Sequence, residues 1–208
     1  MYLPSAFRQD DRGELLRLIG ETPLATLVTA GEQGLQASHL PLLLAADEGE
    51  QGTLYGHLAR ANPQWRELAA GAEAMLIFQG PDAYVSPSFY PSKAEHGKVV
   101  PTWNFIAVHA YGVAETIEDA PRLLQIVSRL TELHERERAQ PWAVSDAPED
   151  YVAGMLRAIV GFRLPIARLE GKWKLSQNRT AEDRAGVRQG LGASASSTDR
   201  ALAQRLPE

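Results

Sequence analysis

Cysteine is absent from the 208 residues. No disulfide framework can form, no thiolate is available as nucleophile, and a structural zinc site loses its commonest donor. No apolar run reaches the length of a membrane-spanning helix. The first residues, Met1-Tyr-Leu-Pro-Ser-Ala-Phe7, carry neither the basic leader nor the apolar stretch of a signal peptide. A cytoplasmic protein without membrane contact is expected. Positive charge is also scarce: 21 Lys and Arg stand against 26 Asp and Glu, a net charge of −5. Only residues 168–208 reverse the balance, with eight cations against five acids. That surplus suits a single phosphate group and is a poor footprint for a nucleic-acid duplex, so direct DNA binding is not expected.

Several catalytic signatures are missing as well. The five histidines are His39, His57, His96, His109 and His134. None stands at the H-x-H or H-E-x-x-H spacing that holds a metal, and no metal site is expected. Ser86 and Ser88 lie in a proline-containing stretch and not in a G-x-S-x-G elbow. There is no phosphate-loop motif, and Gly190-Leu-Gly192 lacks the third glycine and the preceding strand of a dinucleotide fingerprint. No residue can be assigned a catalytic role from these patterns. His109 sits in an apolar stretch and reads as a core residue, and His134 reads as solvated.

What is present describes an ordinary globular chain, 44% hydrophobic and 23% charged. Its elements read as mainly β with inserted helices, an α+β arrangement. Residues 10–19 form a helix with Leu15, Leu16, Leu18 and Ile19 as its apolar stripe. Strands follow at 24–29 and 36–44, joined by a hairpin turn at Gly31–Gly34, and at 53–58. Asn62-Pro63 starts a helix through Leu68. Residues 74–78 form a buried strand ended by Gly80-Pro81, and 84–101, with Pro87, Pro91 and Pro101, form an ordered loop. Residues 103–116 are a long apolar strand, as expected where both faces are covered. Asp119 caps a helix with Leu123, Leu124, Val127, Leu130 and Leu133 at helical spacing. Asp146 to Glu149 reads as a capping box for a helix to about Arg157. A strand from 159 to 169 leads into Gly171-Lys-Trp-Lys-Leu-Ser-Gln-Asn-Arg179, read as extended. Thr180 caps a helix to Gln189, and 190–197 are small, polar and flexible. Early hairpins and the long central strand suggest a closed or nearly closed barrel, and the absence of regular βαβ alternation argues against a doubly wound sheet.

Three stretches combine cation, amide and aromatic. Gly56 to Pro63 holds His57, Arg60 and Asn62. Gly97 to Asn104 holds Lys98, Thr102, Trp103 and Asn104. The third, from Gly171, holds Lys172, Trp173, Lys174, Ser176 and Gln177. As a strand it would place Lys172, Lys174 and Ser176 on one side and Trp173 and Leu175 on the other. Ser38 and His39 lie on a strand that could neighbour that of His57. A phosphate needs fixed donors, a fork from Arg or a point charge from Lys. A planar ring needs an apolar slot with a few donors and acceptors at its polar edge. Flavin mononucleotide (FMN) meets both demands, with Arg60 and Lys174 supplying phosphate-binding charge. Trp103 and Trp173 either border the ring or belong to the core.

The chain resembles the FMN-binding negative transcriptional regulators of the PaiB type, within the pyridoxamine phosphate oxidase-like split-barrel group. The segments that carry the likeness are Met1-Tyr-Leu-Pro4, Ala37-Ser-His-Leu-Pro41, Gly56-His-Leu-Ala-Arg-Ala-Asn-Pro63, Phe78-Gln-Gly-Pro81, Tyr90-Pro-Ser-Lys93, Gly97 to Asn104 and Gly171 to Asn178. The resemblance implies a split β-barrel homodimer with FMN at the subunit interface, a flavin-binding domain over 1–191, and a C-terminal tail at 192–208. It implies a regulatory role, exerted through the flavin or indirectly. The oxidases' Ser-Arg-Lys run is replaced here by Arg60-Ala-Asn62, and their basic pair for pyridoxamine phosphate is not recognisable. A small flavin-dependent oxidoreductase, or a haem-binding enzyme using the same cleft, is the alternative from another class.

Overall fold

The computed structural model describes residues 1–31 and 34–208. Glu32 and Gln33, at the centre of the expected hairpin turn, lie outside the described residues. The elements in chain order are β1 (Arg8–Gln9), α1 (Arg12–Glu21), β2 (Leu24–Gly31), β3 (Gly34–Pro41), β4 (Leu43–Ala45), β5 (Thr53–Ala59), α2 (Gln64–Ala69), β6 (Glu73–Val85), α3 (Ser92–His96), β7 (Thr102–Val113), β8 (Glu115–Ile117), α4 (Ala120–Glu135), α5 (Glu149–Arg157), β9 (Ile159–Pro165), β10 (Arg168–Lys174), α6 (Ala181–Gly192) and α7 (Ser197–Ala203). The sheets are antiparallel and several helices accompany them, the α+β class read from the sequence. The chain forms two compact units. Unit 1 comprises Met1–Leu15, Gln79–Val108 and Glu170–Glu208, and unit 2 comprises Leu16–Phe78 and His109–Leu169.

In unit 2, β2 pairs with β3, Leu27 opposite Ser38 and Thr26 opposite His39. Ala25, Leu27 and Thr29 are buried, while their neighbours are more open, the alternation of a strand with one covered face. A second sheet has the order β4-β5-β9-β8. One face of it is covered by α4, whose Leu123, Ile126 and Leu130 fall at helical spacing and pack with Leu43, Ile117 and Leu156. Asp119 caps α4 as expected, its carboxylate accepting the Arg122 N–H at 3.0 Å. Gly161 on β9 allows this close packing, since a Cβ there would lie 2.6 Å from Leu123 Cδ2. Each of these aliphatic side chains contributes roughly 1.5–3 kcal/mol by leaving water.

In unit 1, β1 pairs with β10, Arg8 opposite Lys172, and the order continues through β7 to β6. The Thr180 hydroxyl caps α6 by accepting from Asp183 N–H at 3.3 Å. Asp183 is itself buried and takes hydrogen bonds from the Ser92 hydroxyl at 2.8 Å and the Ser92 N–H at 3.2 Å.

Several boundaries differ from the sequence reading. The strand expected to stop at Gly80-Pro81 runs on to Val85 as β6. The 84–101 stretch holds a 3-10 turn at Pro87–Phe89 and helix α3. Asp146 does not cap α5: its carboxylate accepts the Ala143 N–H at 2.9 Å and closes a 3-10 turn, and Pro148 precedes the helix. The single strand expected over 159–169 is two, because Ile166 N–H donates to Gly52 O and Ala167 N–H to Tyr111 O at the break. The expected flexible run from 190 instead continues α6 to Gly192. Gly190 lies against Phe89, whose Cδ1 would be 2.4 Å from an added Cβ. Ser196 then caps α7, and Leu202 is fully buried.

Candidate functional site

Unit 2 brings together Ser38, Asn62 and the turn that follows β5. Asn62 Nδ2 donates to Ser38 Oγ at 2.9 Å, and Asn62 Oδ1 accepts the Gln64 N–H at 3.0 Å. Gln64, 1% exposed, donates to Leu27 O, Thr29 Oγ1 and Gln36 O. These bonds fix the turn on β2 and β3 and occupy its amide N–H groups, while Gln64 Oε1 is buried without a partner. His39 stands exposed on β3, its Nδ1 3.0 Å from Thr26 Oγ1. Arg60 is also occupied: Nη1 lies 2.6 Å from Glu118 Oε2, Nε donates to Arg157 O at 2.9 Å, and Nη2 donates to Ile159 O at 3.1 Å. A phosphate at Arg60 would have to compete with Glu118. The ion pair is half-exposed and worth no more than about 1 kcal/mol, whereas the two carbonyl bonds fix the guanidinium plane. His57 lies on the face of β5 opposite to that of Gly56. Its Nδ1 is buried without a partner, and burial pushes the imidazole's pKa down.

Unit 1 gathers the remaining expected residues. Lys174 Nζ donates to Thr102 Oγ1 at 2.6 Å and to Trp103 O at 2.7 Å. Burial lowers the Lys174 pKa, and the like charges of Lys172 and Arg179 lower it further. Lys172 Nζ donates to Tyr2 O and sits 5.4 Å from the Tyr2 ring centre and 5.3 Å from that of Phe105. The Arg179 guanidinium lies 4.9 Å from the Tyr90 ring centre. Among the described residues, none of these three cations is paired with a carboxylate. A nearby anion would relieve both the burial and the like-charge repulsion of this ammonium.

The extended reading of the third stretch holds only to Lys174. Ser176 adopts a left-handed backbone, φ 63°, so it does not continue the row of Lys172 and Lys174. Its hydroxyl is buried and accepts from Asn104 Nδ2 at 2.9 Å. Gln177 folds back on the chain, Oε1 accepting the Leu175 N–H at 2.7 Å and Nε2 donating to Trp173 O. The two tryptophans separate: Trp173 is buried in the core at 9% exposure, while Trp103 is 54% exposed and meets Tyr84 edge to face, ring centres 6.1 Å apart. Trp103, Tyr84 and Phe89 line a cavity of about 620 Å³ whose wall also carries Asp82 and Asp199. Those carboxylates disfavour a phosphate there. Tyr84 and Arg179 were not among the residues singled out for cofactor binding. Arg179 could have been, since it closes the same basic stretch, whereas Tyr84 gave no signal within its loop-like surroundings.

The chain is 33% identical over 183 residues to the Bacillus subtilis protein named protease synthase and sporulation protein PAI 2, covering 88% of this chain and 85% of that one. It is 34% identical over 226 residues to an uncharacterised protein of Emericella nidulans, covering 92% and 90%. Among solved structures, it superposes on an FAD- and haem-binding protein of Mycobacterium smegmatis with a TM-score of 0.61 at 19% identity, over 86% of this chain and 78% of that one. A flavocytochrome of Azotobacter vinelandii gives 0.57 at 19% identity, over 88% and 78%. The sheets and helices therefore share the fold of these two solved proteins. Residues 1–168 match the family model described as "Putative FMN-binding domain", and the chain belongs to that family, with FMN as its cofactor. The basic stretch Lys172 to Arg179 lies just beyond the matched residues. No helix among the described residues is long and apolar enough to cross a membrane.

Proposed function

We propose that the chain is a cytoplasmic, homodimeric FMN-binding regulatory protein whose effect runs through its flavin and not through contacts to DNA bases. The observation that carries the reading is the cluster of Lys172, Lys174 and Arg179, three cations with no ion-paired carboxylate among the described residues, together with the exposed indole of Trp103, whose carbonyl accepts from Lys174. Lys174 donates to the flavin phosphate, and Lys172 and Arg179 deepen the positive potential around it. Trp103, with Tyr84 against its edge, offers an apolar face to the ring. Bound FMN supplies one- and two-electron redox chemistry. The regulatory role is supported by the likeness to the B. subtilis sporulation protein. Indirect action is supported by the net charge of −5, since non-specific affinity for DNA scales with the number of phosphates neutralised.

The absorbance spectrum of the purified protein tests the cofactor: flavin bands are expected, and a haem band in their place would overturn it. An anisotropy titration at physiological salt tests the mode of action, and sequence-specific DNA binding tighter than about 10⁻⁷ M would restore direct repression. Steady turnover of a nicotinamide or organic electron donor by the FMN-loaded protein would favour an oxidoreductase. Sedimentation should give a dimer, whose interface would bury more than about 2,000 Å² if obligate.

A further inference from the structure

The cavity of about 620 Å³ beside Trp103 in unit 1 has a wall of two kinds. One is aromatic, made by Tyr84, Phe89 and Trp103. Trp103 and Tyr84 remain 54% and 49% exposed, two large rings left open at a concave surface of the size that takes a small molecule. The other is acidic, made by Asp82 on β6 and Asp199 on α7. No Lys, Arg or His side chain lines the cavity among the described residues.

Both carboxylates are anchored without being neutralised. Asp82 Oδ2 accepts from Gln79 Nε2 at 3.1 Å, and Asp199 Oδ2 accepts from Ser194 Oγ at 2.7 Å. A neutral donor fixes a carboxylate in place and leaves its charge intact. Neither acid is ion-paired among the described residues. Arg200, next to Asp199 in sequence, is turned to the backbone, its Nη1 donating to Ser194 O at 2.7 Å and Ala195 O at 2.8 Å. Lys174 donates to the Trp103 carbonyl at 2.7 Å and is not part of the cavity wall. The ligand's character follows. Two carboxylates repel an anion. A neutral body would cover the rings and take water from the acids without compensation. A metal ion lacks donors, since among the described residues no group of three or more acidic or imidazole side chains could hold one. An organic cation gains from both walls: ring faces attract its spread charge, and the acids supply the opposite sign.

We propose that this cavity binds a small organic cation, a substituted ammonium seated on the Trp103 and Tyr84 rings with Asp82 and Asp199 as its counter-charges. The site shares Trp103 with the flavin reading, in which the isoalloxazine takes one face of the indole, and it stands whether or not that reading does.

Calorimetric titration of the FMN-loaded protein at low salt with choline, and with 3,3-dimethylbutan-1-ol as its uncharged isostere, tests this. Choline should bind about two- to thirtyfold more tightly than the alcohol, the span of a cation–π contact. Asp82→Asn and Asp199→Asn keep an acceptor oxygen for Gln79 and Ser194, and each should weaken choline about two- to fivefold while leaving the alcohol unchanged. The indole N–H signal that Trp103→Leu removes from the spectrum should shift in wild type on adding choline. Equal affinity for the two probes, an unmoved Trp103 signal, or a preference untouched by both aspartate variants would each overturn the assignment. Release of FMN by choline would show that the flavin ring itself fills the cavity, which overturns the separate site and sustains the flavin reading.

Discussion

The two units place similar side chains under opposite conditions. In unit 2 the donors near the turn are spent, Asn62 on Ser38, Gln64 on three acceptors, and Arg60 on Glu118 and two carbonyls, although Gln64 Oε1 and His57 Nδ1 stay buried without a partner. In unit 1 three cations stand close enough for Lys172 and Arg179 to lower the pKa of Lys174, and among the described residues none of the three is ion-paired with a carboxylate. Hydrogen bonding that is already satisfied stabilises a fold, whereas charge that is unpaired waits for a ligand. Residue type therefore does not reveal which arginine or lysine binds phosphate; its neighbours do.

The largest expected effect concerns the core of unit 2. Leu123→Ala removes a fully buried side chain that packs on Gly161, and should cost about 2–5 kcal/mol in urea unfolding. FMN affinity of the folded fraction should stay within about twofold. A large loss of flavin affinity would mean that the helix layer, and not the basic cluster, governs the site.

Next comes Lys174→Ala, which should weaken FMN by about 1.5–3 kcal/mol, the range for a hydrogen bond to a charged group. Riboflavin, which has no phosphate, should lose much less by fluorescence titration. Equal losses for both ligands would dissolve the contrast between the units.

Arg60→Ala should behave in the opposite sense. Loss of the Glu118 pair and of two bonds to carbonyls should lower stability by about 1–2 kcal/mol, with a smaller change in FMN binding than Lys174→Ala. If flavin affinity falls further at Arg60 than at Lys174, the phosphate belongs in unit 2.

The smallest effect is a pH dependence. The His57 pKa is lowered in the folded chain by burial, so the unfolded chain binds a proton more readily. Its contribution to stability is present above the ordinary value of 6.5 and is lost as pH falls through the lowered folded value. His134 and Tyr151 line a cavity together with His57 and are common to both proteins in the comparison. The urea midpoint of wild type should therefore drop more steeply below pH 6.5 than that of His57→Leu. Parallel profiles would show that the imidazole reaches water.

Short-range signals were read correctly from the sequence. The caps at Asp119 and Thr180 act over a few residues, and the α4 stripe is set by helical periodicity alone. The basic stretch from Lys172 was visible for the same reason, as its cations lie within eight positions. Tertiary effects were not legible. Glu118 neutralises Arg60 from 58 residues away, and the break between β9 and β10 depends on bonds to Gly52 and Tyr111. Gly80-Pro81 looked like a stop, although β6 continues through it. Gly190 looked like a flexible joint because nothing near it in sequence announces Phe89.

The left-handed turn at Ser176 also sets what substitution this segment will tolerate. A side chain held at positive φ costs about 1–2 kcal/mol unless it is glycine, or asparagine or aspartate with a local bond. Ser176 offsets part of that cost through its buried bond with Asn104. Position 176 is thus narrow from two directions at once. Glycine relaxes the backbone but abandons the Asn104 amide, threonine and valine keep bulk but crowd the left-handed well, aspartate would bury a charge, and asparagine offers both a suitable backbone and a neutral polar partner. In a saturation library scored by folding, the survivors at 176 should be serine and asparagine, then glycine, with every β-branched residue at the bottom.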